Sequence, residues 1–282
     1  MTQDVDAPVV AIVDGDTFCY SSFRSRMLSP QEMADLAENG QLSAACQEAH
    51  LLEALQNFLS KIDQLKERTY ADYCLVAVKH ELSVNYRDEI YVDYKLKRRK
   101  VPGHSNNLVP QLRKLLCDMG VAVPAVGREA DDLIRIWHTQ ALQAGHVPIV
   151  CAEDKDLLMI DGQHFRLHKM TKGYSRSTQE EFRFVTPEEG RQLYYAQLLM
   201  GDPTDNIPGI PRMGPKTAVA VLAECETEED FQKEVIYQYM AAYAKDWRAY
   251  LLANGKMIHL QKHPNDWFSV VGWAHPGGGS VV

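Results

Sequence analysis

The chain has 282 residues, and its 30 basic and 38 acidic side chains give a formal net charge of −8. Hydrophobic residues make up 45% of the chain and charged residues 24%, which is typical of a globular protein with a sizeable core. No apolar run approaches the roughly 20 residues of a membrane-spanning helix, which excludes such a helix. Six cysteines without a CxxC pair argue against a zinc ribbon or a disulfide framework. The acidic N-terminal residues lack the basic region of a signal peptide, so we expect a cytoplasmic protein.

Short apolar runs alternate with longer amphipathic segments, which predicts an α/β fold with a mostly parallel sheet flanked by helices. The predicted strands, in chain order, are Val9–Val13, Cys74–Val78, Val121–Ala125, Val147–Cys151 and Phe165–His168. Apolar residues at helical spacing predict helices over Ser43–Lys66 and Glu129–Leu142.

The chain changes character near residue 185, where the strand signals end. Residues 188–262 are predicted to be almost wholly helical, apart from a turn rich in proline and glycine at 203–215. We therefore predict an α/β core over residues 1–185 and a mainly helical region over residues 186–282. The glycine-rich segment 276–280 is expected to be a flexible tail.

Acidic residues follow three of the predicted strands. Because the carboxyl ends of parallel strands meet at one edge of a sheet, acids far apart in the chain are expected to meet there. A fourth acidic cluster lies in the helical region. The candidate ligands are Asp14, Glu129, Asp131, Asp132, Asp154, Asp156, Asp202 and Asp205.

Eight carboxylates in one crevice would repel one another unless divalent cations neutralised them. Oxygen ligands without histidine or cysteine favour Mg²⁺ or Mn²⁺ over zinc. Paired ions held in this way can activate water and stabilise the leaving oxygen in phosphodiester hydrolysis. The alternative is that each cluster only caps a helix or solvates a turn.

A basic segment, Lys95–Lys100, carries five basic side chains in six residues and follows Tyr86, Tyr91 and Tyr94. Cations beside aromatic rings are typical of surfaces that bind single-stranded nucleic acid, although a charge run can also be a solvated face. The segment lies between two predicted strands, so we expect an insertion over the crevice at about residues 80–115. Without the eight candidate ligands, 30 acids balance 30 bases, and local positive patches can attract phosphates.

The stretch Gly209–Ala218 resembles a helix-hairpin-helix turn, within a longer segment at 202–218. Gly209 and Gly214 allow close approach of the backbone, and amides at the start of the next helix can bind a phosphate. Lys216 adds a positive charge beside them. A phosphate-loop motif does not fit, because Pro215 separates Gly214 from Lys216 and no strand precedes the stretch.

Together, these motifs resemble the 5′-nuclease family, which includes flap endonucleases, the 5′-nuclease domain of bacterial DNA polymerase I and bacteriophage 5′→3′ exonucleases. The matching segments are VDGD (13–16), YRDEIYVDYKLKRR (86–99), EADDL (129–133), AEDKDLL (152–158) and LLMGDPTDNIPGIPRMGPKTA (198–218). No zinc finger or polymerase segment follows, and the chain is similar in size to stand-alone bacteriophage enzymes.

The resemblance implies a PIN-like core with a mixed sheet, a helical arch and a C-terminal helix–three-turn–helix region. It implies hydrolysis of DNA at or near 5′ ends or flaps, with two or more Mg²⁺ or Mn²⁺ ions and no small-molecule cofactor. RNA in an RNA–DNA hybrid is a further candidate substrate, and the hairpin turn is a candidate K⁺ site.

The resemblance also implies roles for individual residues, carried over by position. Asp14, Glu129, Asp131 and Asp132 resemble ligands of the catalytic metals, Asp154 and Asp156 shared or second-site ligands, and Asp202 and Asp205 outer ligands. Lys95, Arg98 and Tyr94 resemble the arch residues near the scissile phosphate. The predicted DNA contacts are Tyr86, Arg87, Lys97, Arg99, Lys100, Gly209, Arg212, Gly214, Lys216 and Thr217.

The chain departs from the family pattern at two places. Glu81, or His80, stands where relatives carry an aspartate after the second strand, so Glu81 is a further candidate ligand. Arg212 stands where relatives commonly carry glycine.

Three alternatives remain open. Asp14-Gly15-Asp16-Thr17 resembles the nucleophile motif of haloacid-dehalogenase-type phosphatases, but the hairpin turn would then have no purpose. A DNA-binding module with a degenerate site would keep the hairpin and lack activity. A PIN-type ribonuclease would share the acids and lack the hairpin turn.

Overall fold

The computed structural model describes residues 7–23, 29, 32, 38–39, 42–91, 93–95, 108–167 and 180–282. They form two compact units. The first, here the sheet unit, draws on residues up to 83, 102–157 and 162–184. The second, the helical unit, draws on 84–101, 158–161 and 185–282. The predicted domain division at residue 185 stays a prediction.

Six strands form the sheet, and the strand order is β3-β2-β1-β4-β5-β6. The strands are β1 (Val9–Asp14), β2 (Tyr73–Lys79), β3 (Val123–Ala125), β4 (Val147–Cys151), β5 (Gly162–Leu167) and β6 (Glu180–Val185). β1 lies at the centre and pairs in parallel with β2 and β4. The pairs β2–β3 and β4–β5 are also parallel. The predicted α/β class with a mostly parallel sheet is confirmed.

The helices that accompany the sheet within the described ranges are α1 (Gly15–Ser22), α2 (Ala44–Thr69), α4 (Val109–Asp118) and α5 (Ala130–Gln143). β1 is an almost continuous apolar run that is buried from Val10 onward, as expected for a parallel strand covered on both faces. On α2, Ala54, Phe58 and Leu65 recur at helical spacing and pack in the core beside Phe18 of α1. The two helices predicted from periodicity are therefore present.

Three features of the sheet unit differ from the prediction. β3 starts at Val123, because the amides of Val121 and Ala122 instead donate to Leu116 O near the end of α4. β5 starts at Gly162, three residues earlier than predicted, and His168 is outside the described residues. β6 was not predicted; in this strand Val185 is buried, whereas Phe182 and Phe184 are exposed.

The helical unit contains a short helix α3 (Tyr86–Ile90), followed later in the chain by α6 (Pro187–Met200), α7 (Pro215–Val221), α8 (Glu228–Tyr243) and α9 (Trp247–Ile258). Thr186 caps α6 by accepting a hydrogen bond from the amide of Glu189. The core of this unit contains Tyr195, Leu199, Phe231 and Tyr239. No helix within the described ranges is both long and apolar enough to cross a membrane.

The expectation of a flexible tail at 276–280 is wrong. The amide of Gly272 donates to Val281 O at 2.8 Å, and the amide of Val281 donates to Trp273 O at 2.9 Å. The side chain of Val281 is buried in the core of the helical unit. These contacts order the glycine-rich turn between them.

Candidate active site

Asp14 is the last residue of β1 and the N-cap of α1. Its carboxylate accepts hydrogen bonds from the amide of Asp16 at 3.1 Å, the amide of Thr17 at 3.4 Å and the hydroxyl of Thr17 at 2.6 Å. The pKa of Asp14 is raised to about 6, mainly by burial and also by the neighbouring charges of Asp16 and Asp154, despite the opposing hydrogen bonds from Thr17. A buried carboxylate repelled by other acids favours either a proton or a cation.

A second group of acids lies at the start of α5. Asp132 is fully buried and accepts a hydrogen bond from the amide of Glu129 at 3.1 Å, so it caps the helix. Glu129 and Asp131 are only half-buried. α5 packs against β1, β2 and β4. Because α5 follows β3 directly, these acids lie at the same carboxyl edge of the sheet as Asp14.

The third group follows β4, which pairs with β1 so that Val13 lies opposite Cys151. Asp154 Oδ1 accepts a hydrogen bond from the amide of Asp156 at 2.9 Å. The charge of Asp154 acts on Asp14, which places the two acids in one electrostatic environment. Glu153 was not predicted as a site residue, yet its Oε1 is buried and accepts no hydrogen bond within the described part of the chain.

The donor set at this edge fits a hard divalent cation, because every candidate ligand is a carboxylate oxygen and Asp14 is desolvated. Among the described residues, no three of these acids bring ligand atoms within 4.8 Å of one another.

The structure places Glu81 in an ion-pair network that the sequence did not reveal. Arg113 is buried, donates from Nε to Asp16 Oδ1 at 2.8 Å and pairs with Glu81. Asp16 also accepts the amide of Lys79 at the end of β2. Arg113 therefore pairs with these two acids. Glu81 as a metal ligand stays a prediction.

The helical unit carries the remaining two acids, in the turn between α6 and α7. Asp202 Oδ1 accepts the amide of Thr204 at 2.7 Å, and the backbones of Asp202 and Ile207 exchange two hydrogen bonds. Asp205 lies 3.5 Å from the ammonium of Lys95, and its carbonyl accepts the Lys95 amide at 3.0 Å. The structure thus brings together Lys95 and Asp205, which are 110 positions apart in the sequence.

Two predicted contact residues have buried side chains. The guanidinium of Arg87 donates to the carbonyls of Met257 at 2.8 Å and His259 at 2.7 Å, at the end of α9. The side chain of Arg87 is only 1% exposed, and its contact with DNA stays a prediction. Tyr94 lies in the core of the helical unit at 2% exposure, so it supports Lys95 rather than touching a substrate.

Tyr86 is half-buried and packs edge-on against Trp267, with ring centroids 5.1 Å apart. Four further predicted residues, Lys97, Arg98, Arg99 and Lys100, lie outside the described residues, as do positions 92 and 96–107 of the predicted insertion as a whole. Their roles stay predictions.

The hairpin turn has a rigid part and an open part. Gly209 has φ +61°, and a Cβ there would lie 2.3 Å from the backbone of Met200. Arg212, Lys216 and Thr217 are exposed. Gly214 caps α7 without a side chain, so the first-turn amides of that helix have no side-chain cap. Binding of a phosphate at this end stays a prediction.

Comparison with known sequences identifies the family of the chain. Residues 9–188 match the family described as 5′-3′ exonuclease, N-terminal resolvase-like domain. DNA polymerase I of Streptococcus pneumoniae is 33% identical over 180 residues, covering 61% of this chain and 20% of the polymerase. A 5′-3′ exonuclease of Buchnera aphidicola is 27% identical, covering 76% of this chain and 69% of the relative. The flap endonuclease Xni of Serratia proteamaculans is 28% identical, with coverages of 77% and 84%.

Solved structures share the fold at lower sequence identity. A variant of the bacteriophage T5 D15 flap endonuclease, in complex with DNA and metal ions, superposes with a TM-score of 0.60 at 16% identity and covers 89% of each chain. The bacteriophage T5 5′-exonuclease with bound zinc gives a TM-score of 0.59 at 18% identity, with the same coverage. The present chain thus spans about a fifth of its polymerase relatives but most of these smaller proteins.

Proposed function

Because the chain belongs to the 5′-3′ exonuclease family, as its motifs predict, we propose that it is a divalent-metal-dependent nuclease acting on DNA from or near 5′ ends. The observation that carries the proposal is Asp14, which is buried at the carboxyl edge of the sheet with a pKa raised by burial and by neighbouring acids. A cation at that position would remove the repulsion that the bare carboxylates experience.

We assign the direct metal contacts to four acids of the sheet unit: the buried Asp14 and the half-buried Glu129, Asp131 and Asp154. Asp132 and Asp156 are the positioning residues, since Asp132 caps α5 and Asp156 donates its amide to Asp154. Bound Mg²⁺ or Mn²⁺ would supply an activated water and stabilise the leaving oxygen. Participation of Asp202 and Asp205 stays a prediction.

The helical unit supplies groups suited to phosphate binding. Lys95 carries a cation beside Asp205, and its side chain remains 24% exposed. Arg212, Lys216 and Thr217 form an open hairpin end that can hold a sugar-phosphate backbone without reading base sequence. We propose DNA with a 5′ end or flap as the substrate, with RNA–DNA hybrid and a K⁺ ion at the turn as further predictions.

Cleavage of a 5′-labelled flap and a 5′-labelled blunt duplex, with Mg²⁺ or with EDTA, tests the proposal. We expect metal-dependent release of nucleotides or short 5′ fragments, whose lengths distinguish exonuclease from flap cleavage. Asp154→Ala should lose cleavage and keep DNA binding, whereas Asp118→Ala, an exposed acid paired with Lys114, should cleave normally.

Two results would contradict the proposal. Cleavage that persists in EDTA would contradict the proposed dependence on metal. Normal cleavage by Asp154→Ala would contradict the proposed position of the active site. Intact DNA binding by the wild-type chain without any cleavage would favour the alternative of a binding module with a degenerate site.

A further inference from the structure

A second group of potential metal ligands lies in the sheet unit and is separate from the acids described above. Glu32, Cys46 and His50 bring one ligand atom each within 4.8 Å of one another. Among the described residues this is the one such group of three. Unlike the sheet-edge acids, it combines a thiol, an imidazole and a carboxylate.

The helix α2 and two backbone hydrogen bonds position these side chains close together. Cys46 and His50 are four positions apart on α2, so both lie on the same face of the helix. Ser43 caps α2 by accepting the amide of Cys46 at 3.3 Å, which fixes the first turn. Glu32 is held from the other side, because its Oε2 accepts the amide of Ser29 at 2.6 Å.

The distances between the three ligand atoms are close to those in a tetrahedral zinc site. The Glu32 Oε1 atom lies 2.9 Å from His50 Nε2 and 3.0 Å from Cys46 Sγ, and the sulfur lies 3.8 Å from the ring nitrogen. Zinc bonds of about 2.0–2.3 Å in a tetrahedron separate ligand atoms by about 3.3–3.6 Å. A shift of a few tenths of an ångström would therefore admit an ion.

The group is also shielded from water. The side chains of Glu32 and His50 are 9% and 10% exposed. Burial of this kind limits competition from water for the three ligand atoms.

We propose that Glu32, Cys46 and His50 bind a zinc ion, with water or another ligand in the fourth position. Thiolate and imidazole select zinc over Mg²⁺, so this site would differ in chemistry from the oxygen-only edge. On binding, the Cys46 thiol releases its proton to solvent and the metal takes the place of its hydrogen bond to Glu32. The ion would link Glu32 to the first turns of α2.

Cobalt absorption tests the proposal without using nuclease activity, so it can fail or succeed independently of the proposed function. Chelator-treated protein is titrated with Co²⁺ in excess Mg²⁺, which occupies the carboxylate sites. We expect a near-ultraviolet thiolate-to-cobalt charge-transfer band that saturates at one ion per chain and disappears when one equivalent of Zn²⁺ is added.

Variants test which side chains bind the cobalt ion that gives the band. Cys46→Ser should abolish it, and His50→Gln and Glu32→Gln should weaken Co²⁺ binding by at least about 100-fold, since even outer-shell changes reduce affinity 10–100-fold. Cys225→Ser, a half-buried cysteine of the helical unit, should retain the band. Circular dichroism confirms that each variant folds, and the histidine and glutamate variants decide the question if Cys46→Ser is unfolded.

A wild-type chain without the band would overturn the proposal and leave the three side chains as a hydrogen-bonded group at the start of α2. A band that survives Cys46→Ser would overturn it as well, because another cysteine would then be the ligand.

Discussion

Asp14 in the sheet unit and Asp205 in the helical unit are both buried, but they are stabilised differently. Asp14 receives hydrogen bonds from two amides and a hydroxyl, and it forms no ion pair among the described residues. Asp205 lies beside the ammonium of Lys95. The charge of Asp14 is therefore compensated only by dipoles, whereas that of Asp205 has a cation from the same chain.

This difference indicates where an external cation matters most. Neutral donors only partly offset the cost of burying a charge, and the neighbouring acids add to that cost at Asp14. A metal ion would relieve it. At Asp205 the lysine already supplies a positive charge, so we expect this acid to depend less on metal.

The largest expected effect is on catalysis. Asp14→Asn keeps the size of the side chain but removes its charge, and we expect single-turnover cleavage in Mg²⁺ to fall by about 1,000-fold or more. Asp205→Asn should reduce it by only about 10-fold, in the manner of an outer-sphere residue. If both variants lost the same factor in cleavage rate, the proposal that Asp14 depends more on metal than Asp205 would be contradicted.

A second comparison concerns the turn that carries Asp202 and Asp205. Gly209→Ala would place a methyl group against the backbone of Met200 at a positive φ, so we expect unfolding free energy to fall by about 3 kcal/mol. Gly214→Ala meets no atom within 4 Å and should leave stability nearly unchanged. Urea denaturation measures both variants. A stable Gly209→Ala chain would show that the turn is not rigid.

The third prediction concerns pH. The pKa of Asp14 rises from 3.8 to about 6 on folding, so the folded state binds the proton more tightly and loses stability as pH rises between these values. In EDTA above pH 6, Asp14→Asn should therefore be more stable than wild type by up to about 3 kcal/mol, and the gain should vanish below pH 4. Mg²⁺ should stabilise wild type above pH 6 more than the variant.

Urea denaturation across this pH range gives the answer, with Asp205→Asn as the matched control. That variant loses the partner of Lys95, so we expect no stabilisation at any pH. If Asp205→Asn gained as much stability as Asp14→Asn, burial alone would explain the gain. The acidic repulsion at the sheet edge would then not be needed.

The smallest expected effect belongs to Lys95. Lys95→Ala should slow single-turnover cleavage by about 10- to 100-fold, the value of a charge-assisted hydrogen bond to the reacting phosphate. Lys233→Ala, which removes an exposed lysine paired with Glu229, is the control and should cleave at the wild-type rate. An unchanged cleavage rate in Lys95→Ala would show that this lysine pairs with Asp205 and does not act in cleavage.

Residues whose partners are distant in the chain are the ones whose contacts sequence analysis missed. Arg87 bonds to a carbonyl 170 positions away, and Arg113 to an acid 97 positions away. Both appear in the sequence as ordinary basic residues near a basic run. The edge strand β6 was missed as well, and Val281 was missed because its burial depends on helices far from it in the sequence.

The sequence by itself determined five of the six strands, the main helices, the family and the acids that follow β1 and β4 or begin α5. These are local properties, because hydrophobic periodicity and the residue that ends a strand are set by neighbours in the chain. Only the tertiary structure decided which basic side chains are buried, which acids share an electrostatic environment, and that Glu32 meets Cys46 and His50. Burial and charge coupling depend on atoms brought together by folding, and residue order alone does not specify those distances.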